Sequence, residues 1–303
     1  RADKYVDQTN LLWSMIPSEG IPRAFSVGFV NDPEAYTCRY CKTDLRAKYG
    51  SYAWIRDAFS MPWKIQCPDC RRKFPSNDFG SFYELGIDEH GNWSYEQSKA
   101  ENAKLVAEGK PGYLINVEYP EKDKDGVTGW GVDDGFGYRT GKTYINGVEE
   151  VHTYIAFYNH YALWNATNSN SGAIMTTLNA LRDAYLYTGQ AKYARTGAAM
   201  VDRIADVYPG YDLWPYFNKF ANSHGGTGEG KIVGSIWEPT LMSDVIRAYD
   251  AFYPIFDDPE VIRYLSEKAE KYQFANSKQS AALIRQNCED NLLRETYSAC
   301  QKA

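Results

Sequence analysis

The feature that most constrains this chain is a doubled cysteine pair, Cys38-Arg-Tyr-Cys41 and Cys67-Pro-Asp-Cys70, with residues 42–66 between the pairs. Two thiolates two residues apart fit one knuckle of chain, and two knuckles supply the four soft ligands of a tetrahedral, closed zinc site. Spacing alone leaves two disulfides or four free thiols as the alternatives. Four protein ligands leave no position for water, so the zinc expected on Cys38, Cys41, Cys67 and Cys70 is structural rather than catalytic. Residues 34–80, with their Pro, Gly and basic side chains, read as a small irregular module stapled by that metal.

The remaining cysteines, Cys288 and Cys300, fall on one predicted helix about 18 Å apart, too far for a disulfide, and read as small buried apolar residues. With 303 residues, 44% hydrophobic and 24% charged, the chain has ample length for a real core. No apolar run approaches the ~18 residues of a membrane span. A net charge of −6 without a Lys/Arg block gives no electrostatic footprint for nucleic acid. The 25 Tyr and 8 Trp supply flat amphipathic rings, which suit aromatic cores and sugar-binding clefts alike. The chain opens at Arg1 with no charged-then-apolar signal segment, so whatever came first is expected to have been removed.

Periodicity orders the rest. Leu11, Leu12, Trp13, Met15 and Ile16 predict one short helix before Pro17. Phe82–Leu85 and Asn92–Tyr95 flank a turn sequence and predict a β-hairpin. A polar helix from about Glu96 to Gly109 then leads into a long loop running to about Glu150. Beyond it the period is helical. Ile174, Leu178, Leu181 and Tyr185 mark one helix stopped at Thr188-Gly189, and Tyr193 through Tyr208 mark a second stopped at Pro209-Gly210. Leu241 through Phe252 mark a third helix with Pro239 in its first turn, Val261 through Tyr272 a fourth opened by Pro259, and Ala281, Ile284, Cys288 and Leu292 a last one. Successive helical hairpins of this kind stack into solenoids or close into toroids.

Two segments carry candidate chemistry. His152-Thr-Tyr-Ile-Ala-Phe-Tyr-Asn-His-Tyr-Ala-Leu-Trp164 gathers imidazole, amide and phenol groups able to hold a carboxylate or move a proton near neutral pH, and Asn159, His160 and Tyr161 are its candidates. A Tyr-rich helix that satisfies its histidines internally is the alternative. Asn222-Ser-His224-Gly-Gly-Thr-Gly-Glu229-Gly-Lys231 is glycine-rich but lacks the Lys-Ser/Thr ending of a phosphate loop. It leads to Trp237 and Glu238, a ring platform and a carboxylate at a helix start, against which stands a connection whose Glu238 serves the helix dipole. His224, Trp237 and Glu238 join the candidate cleft. Arg139, Lys142 and Lys231 are the cations expected to meet an acidic ligand. Asp123-Lys-Asp125-Gly126 and Asp133-Asp134-Gly135 lack the frame of a calcium loop and read as turns.

Several of these stretches together resemble the heparinase II/III family of polysaccharide lyases: Tyr158-Asn-His-Tyr-Ala-Leu-Trp164, Ala180 through Tyr193, Asp202-Arg-Ile-Ala-Asp-Val-Tyr-Pro209, Ile236-Trp-Glu238 and Asn291-Leu-Leu-Arg-Glu295. The cysteine module is similar to one at the front of some bacterial members. The resemblance implies a mainly α fold, an incomplete (α/α) toroid of antiparallel helical hairpins with a small N-terminal zinc-ribbon-like module. The expected division is a helix and loop over 1–33, the cysteine module and hairpin over 34–95, and the toroid portion over 96–303. It also implies a periplasmic or secreted enzyme that cleaves acidic, uronic-acid-containing polysaccharide by β-elimination. The family's main catalytic residues would follow Ala303, in a C-terminal part of the same polypeptide. A non-catalytic carbohydrate-binding or scaffold module is the alternative, and an (α/α) toroid glycoside hydrolase, for which Glu229 and Glu238 are the only paired carboxylates on offer, a weaker one.

Overall fold

The computed structural model describes residues 1–18, 21, 37–38, 40–50, 53–88, 91–114, 138–143, 149–152, 154–165, 172–211, 230–233 and 237–302; for 138–143, 149–152, 156 and 300–302 it describes the backbone path. The fold is mainly α. Helix α1 spans Thr9–Met15, α2 Leu45–Tyr49, α3 Phe79–Leu85, α4 Tyr95–Ala107 and α5 Tyr154–Phe157, which continues as a π-helical turn over Tyr158–Trp164. Then come α6 (Ala173–Thr188), α7 (Ala191–Val207), α8 (Glu238–Phe252), α9 (Pro259–Lys271), α10 (Ala281–Cys288), a π-helical stretch over Glu289–Arg294, and α11 (Glu295–Lys302). No described helix is long and apolar enough to cross a membrane.

The helix signals read from sequence fall where the physics puts them. Gly189 ends α6 in the left-handed region at φ 68°, which a glycine adopts without a Cβ clash, and α6 and α7 pack on each other across that two-residue turn. Pro239 and Pro259 stand in the first turns of α8 and α9, where a missing N–H costs nothing, and the Asp258 side chain caps α9 at the Glu260 amide. The last helical stretch starts at Ala281, as its apolar period implies. Ser280 caps it, and the preceding Lys278 is drawn into the interior.

Two expectations are corrected. The predicted hairpin around residues 82–95 is helix at its first arm. Asp78 accepts from the Ser81 amide and hydroxyl at 3.2 and 2.8 Å and caps α3, while Phe79, Phe82 and Tyr83 bury one face at helical spacing. Four residues of alternation could not separate the two periods. A single bridge, Ile87 to Trp93, remains of the hairpin. Conversely, the stretch read as loop up to Glu150 contains an antiparallel pair, β4 (Tyr138–Thr143) with β5 (Glu149–His152), in register Tyr138 to His152. Pairing between the segments, rather than their weak alternation, makes these strands. A three-stranded sheet of two-residue strands, β1 (Ile55–Arg56), β2 (Ile65–Gln66) and β3 (Lys73–Phe74), all antiparallel, frames the second cysteine pair.

One hydrophobic core runs from Ala2 through Cys38, Trp54 and Phe74 to the helices as far as Leu292. Its axis is α7, which touches α1, α6, α8, α9 and α10 and buries residues on every side. Gly197 lets the Phe252 ring of α8 approach so closely that an added Cβ would stand 2.3 Å from it. A buried polar knot ties α10 to α7. Lys278, fully buried, pairs with Asp202 and with Asp206 at 2.7 Å, and Asn287 donates to the same two carboxylates at 2.9 and 3.0 Å. Burial pushes Asp202 up to about 6, against the pull of Lys278. Such a cluster stabilises only while complete, because removing one member strands the others. Lys278→Met is therefore expected to destabilise the chain by about 3–5 kcal/mol in urea unfolding, with most of the loss recovered when Asp202→Asn and Asp206→Asn are added. A loss below about 1 kcal/mol would mean that water, not Lys278, satisfies the carboxylates.

Candidate metal centre and clefts

The two cysteine knuckles are built alike. The Cys38 amide donates to Thr43 O and the Lys42 amide to Cys38 O, at 3.0 and 2.8 Å; the Cys67 amide donates to Arg72 O and the Arg71 amide to Cys67 O, at 2.9 and 3.1 Å. In each, the residue after the second cysteine turns the chain back with a positive φ, 60° at Lys42 and 63° at Arg71. The flanks then pair, Thr37 with Asp44 and Gln66 with Lys73. The knuckles face one another. All four Sγ atoms lie within 4.8 Å, with Cys38 to Cys70 at 3.8 Å and Cys41 to Cys67 at 3.9 Å, and none is in a disulfide. Four sulfurs each about 2.3 Å from one ion would stand about 3.8 Å apart, so the cluster could hold a tetrahedral metal ion.

A carboxylate locks the knuckles together. Asp69, between the second pair, pairs with Lys48 of α2 and accepts from the Thr43 hydroxyl at 2.6 Å and the Tyr49 phenol at 2.9 Å. Lys48 first, then Thr43 and Tyr49, bring Asp69 down to about 2. Its folded value lies below the ordinary carboxylate value, so this cross-link is present at neutral pH and is lost only as pH falls towards 2. Burial pushes the Cys38 and Cys67 thiols up. At Cys41 burial acts the same way, but hydrogen bonds with Thr43, Cys38 and Cys70 together outweigh it and bring the thiol to about 7, favouring the thiolate that a metal needs. Across the outside, the Arg72 guanidinium lies 3.3 Å from the Tyr40 ring centroid.

The module sits against the Tyr-rich segment through three rings. Trp54 meets Phe74 at 5.7 Å and Tyr154 at 5.4 Å, and Phe74 stacks on Tyr154 at 5.0 Å. Two hollows share Ala58 in their walls. The first, of about 830 Å³, is walled by Arg56 and Phe59 on one side and by Tyr161, Asn179, Asp183 and Tyr187 on the other. The Arg56 guanidinium lies 5.5 Å from the Tyr161 ring. The second, of about 820 Å³, is more apolar, with Trp13, Trp63, Tyr83, Tyr158, Arg203 and Tyr272 in its walls.

The candidate residues read from sequence divide. Asn159 is fully buried and donates to Ile21 O at 3.4 Å; His160 is buried with its ring edge-on to Tyr161 at 4.6 Å. Tyr161 lines the first hollow. Trp237 is 37% exposed before α8, whereas Glu238 is buried, one carboxylate oxygen accepting from the Ile232 and Val233 amides at 2.9 Å each. His224 and Glu229 lie outside the described residues, as do the side chains of Arg139 and Lys142. Lys231 is engaged internally, donating to Pro209 O at 2.9 Å and pairing with Glu295 at 2.9 Å. Sequence reasoning missed Arg56, Tyr187 and Arg203. The one available signal was Arg203, a charge placed within the buried repeat of α7.

No family model, no curated protein and no solved structure matches the chain.

Metal analysis of the native chain is expected to find one ion per chain, and Cys67→Ser to abolish stoichiometric binding. Asp69→Asn should weaken binding by about 10–100-fold in competition with a chromophoric chelator, as loss of an outer-shell partner does. Full affinity in Asp69→Asn would show that the knuckles orient themselves without it.

Proposed function

We propose that this chain is the amino-terminal, incomplete (α/α) toroid portion of a periplasmic or secreted polysaccharide lyase. It would act on uronic-acid-containing polysaccharide by β-elimination, its cysteine module held as a zinc-ribbon-like unit by a structural zinc. The donor set supports zinc: four thiolates in two knuckles fill a tetrahedron and leave no ligand position for substrate. Bound there, the ion would supply folding energy and no chemistry. The helical hairpin of α6 and α7 and the resemblance of its sequence support the toroid portion.

One observation carries the substrate class. The first hollow is open and polar, and it brings the Arg56 guanidinium beside the Tyr161 phenol with the exposed Tyr187 ring on its rim. A guanidinium can neutralise a uronate carboxylate in bidentate fashion, and flat rings can carry the sugar face. β-Elimination needs such neutralisation to acidify the C5 proton, then a base for that proton and an acid for the leaving oxygen. Arg56 would assist the first requirement from this chain, whereas the resemblance puts the neutralising Asn or His as well as the base and acid in residues beyond Ala303.

Burial of Asn159 and His160 favours a second reading, a carbohydrate-binding module with no chemistry of its own. An (α/α) toroid hydrolase would need two carboxylates facing one cleft, whereas Glu238 is buried and holds the Ile232 and Val233 amides.

Calorimetry with a uronate oligosaccharide is expected to detect binding that Arg56→Ala weakens about tenfold. Unsaturated uronate, followed by its absorbance, should form with a polypeptide extended beyond Ala303 and not with this chain alone. Turnover by the 303-residue chain, abolished by His160→Ala, would place the chemistry within these residues. Binding without turnover by either polypeptide would favour the non-catalytic module.

A further inference from the structure

The second hollow is lined by as many carboxylates as cations, Asp78, Glu84 and Asp88 against Lys64, Arg203 and Lys271, yet none of these carboxylates pairs with its buried cation, which the lyase reading leaves unexplained. Arg203 of α7 is 3% exposed and lines the hollow, yet no carboxylate lies within ion-pair distance of it among the described residues. A buried guanidinium of this kind is costly unless something neutralises it. Its protein partners are the Gly91 carbonyl, which it meets at 3.2 Å, and the faces of Trp13 at 4.5 Å and Phe274 at 6.0 Å. The Arg203 Nε–H has no acceptor among protein atoms, and neither has the indole N–H of Trp13, 3% exposed in the wall of the same hollow.

More positive charge gathers at the same place. Lys268 stands 4.5 Å from the Trp13 ring and Lys271 4.9 Å from the Tyr272 ring, and neither pairs with a described carboxylate. Burial lowers Lys268 from its ordinary value, and its neighbours Lys271 and Arg203 lower it further. Of the three carboxylates in the wall, Asp78 caps α3 through Ser81, Asp88 accepts from the Asn92 amide, and Glu84 is exposed and pairs with no described cation. Tyr272 stacks on Trp13 at 5.2 Å, and both Tyr272 and Trp63 keep part of their rings uncovered. Two buried donors without acceptors, unpaired cations and half-covered rings together describe a receptor for a ring that carries an oxyanion.

We propose that this hollow is a second carbohydrate site, which receives the carboxylate or sulfate of an acidic sugar on Arg203 and Lys271 and its ring against Tyr272 and Trp63. The choice of a sugar as the ring rests on the acidic-glycan reading; the anion rests on the buried Arg203 and on the two N–H donors without acceptors. The two hollows share Ala58 in their walls.

The test is a titration of the full chain with three probes: a glucuronate-containing tetrasaccharide, its carboxyl-reduced neutral counterpart, and inorganic sulfate. The readout is the indole N–H resonance of Trp13, assigned by Trp13→Phe. The acidic tetrasaccharide is expected to shift that resonance, with Lys271→Ala and Lys268→Ala each weakening the effect about tenfold, and with the neutral probe and sulfate at least about tenfold weaker. These lysines are partly exposed, so their variants test the site even where Arg203→Met fails to fold. An unmoved Trp13 resonance with tetrasaccharide binding that Arg56→Ala removes would overturn this site and leave the first cleft standing. No binding of the tetrasaccharide anywhere would overturn both. Sulfate matching the tetrasaccharide would mean an adventitious ion only, and equal binding of the neutral probe would remove the anion from the account.

Discussion

The three-ring contact of Trp54, Phe74 and Tyr154 is the interaction on which the rest of this molecule depends. The cysteine module has strands of two residues and one short helix, too little apolar surface for a core of its own. It is held from inside by Asp69, which ties the cysteine knuckles to Lys48, Thr43 and Tyr49, and from outside by burying Trp54 and Phe74 against the Tyr-rich segment. Tyr154 opens the stretch whose π-helical turn ends at Trp164. A seven-residue π-helical turn is uncommon and needs packing to sustain it. Rings of the module help supply that packing, since Trp63 meets Tyr158 at 5.5 Å. Residues of the module line both hollows, Arg56 and Phe59 the first and Trp63 and Lys64 the second, so the position of the module shapes both.

Helix α7 carries the second constraint. Asp202 and Arg203 are neighbours on a buried helix, and their charges are met in different ways. Asp202 is closed into a knot with Lys278 and Asn287, which fixes the last helices to the core. Arg203 turns toward rings and a carbonyl and borders a hollow. One buried charge is structural because its partner is within the fold. The other has no carboxylate partner among the described residues, and the proposed second site rests on it.

Much of the helical half was legible because its signals are local: Thr188-Gly189, Pro209-Gly210, Pro239 and Pro259 punctuate apolar periods long enough to fix the repeat. The cysteine cluster was legible because ligand geometry forces a short spacing twice. The hairpin reading at 82–95 failed where four residues had to decide between periods, and the cap at Asp78 decided instead. The clefts were hardly legible. Arg56 and Tyr161, or Arg203 and Trp13, meet only through tertiary packing, and nothing in their sequence neighbourhoods marks the meeting. Glu238 sits at a helix start as its sequence context implies, yet its carboxylate turns back to hold the Ile232 and Val233 amides.

The account stands or falls on whether the cysteine cluster and the Tyr-rich segment behave as one cooperative unit. Hydrogen exchange measured before and after stripping metal with a chelator tests this most directly. Amides of residues 55–74 and of 154–164 should lose protection together, by about tenfold or more, while α7 and α9 keep theirs. Loss confined to the knuckles, with 154–164 unchanged, would contradict it and make the module an appendage that shapes neither cleft.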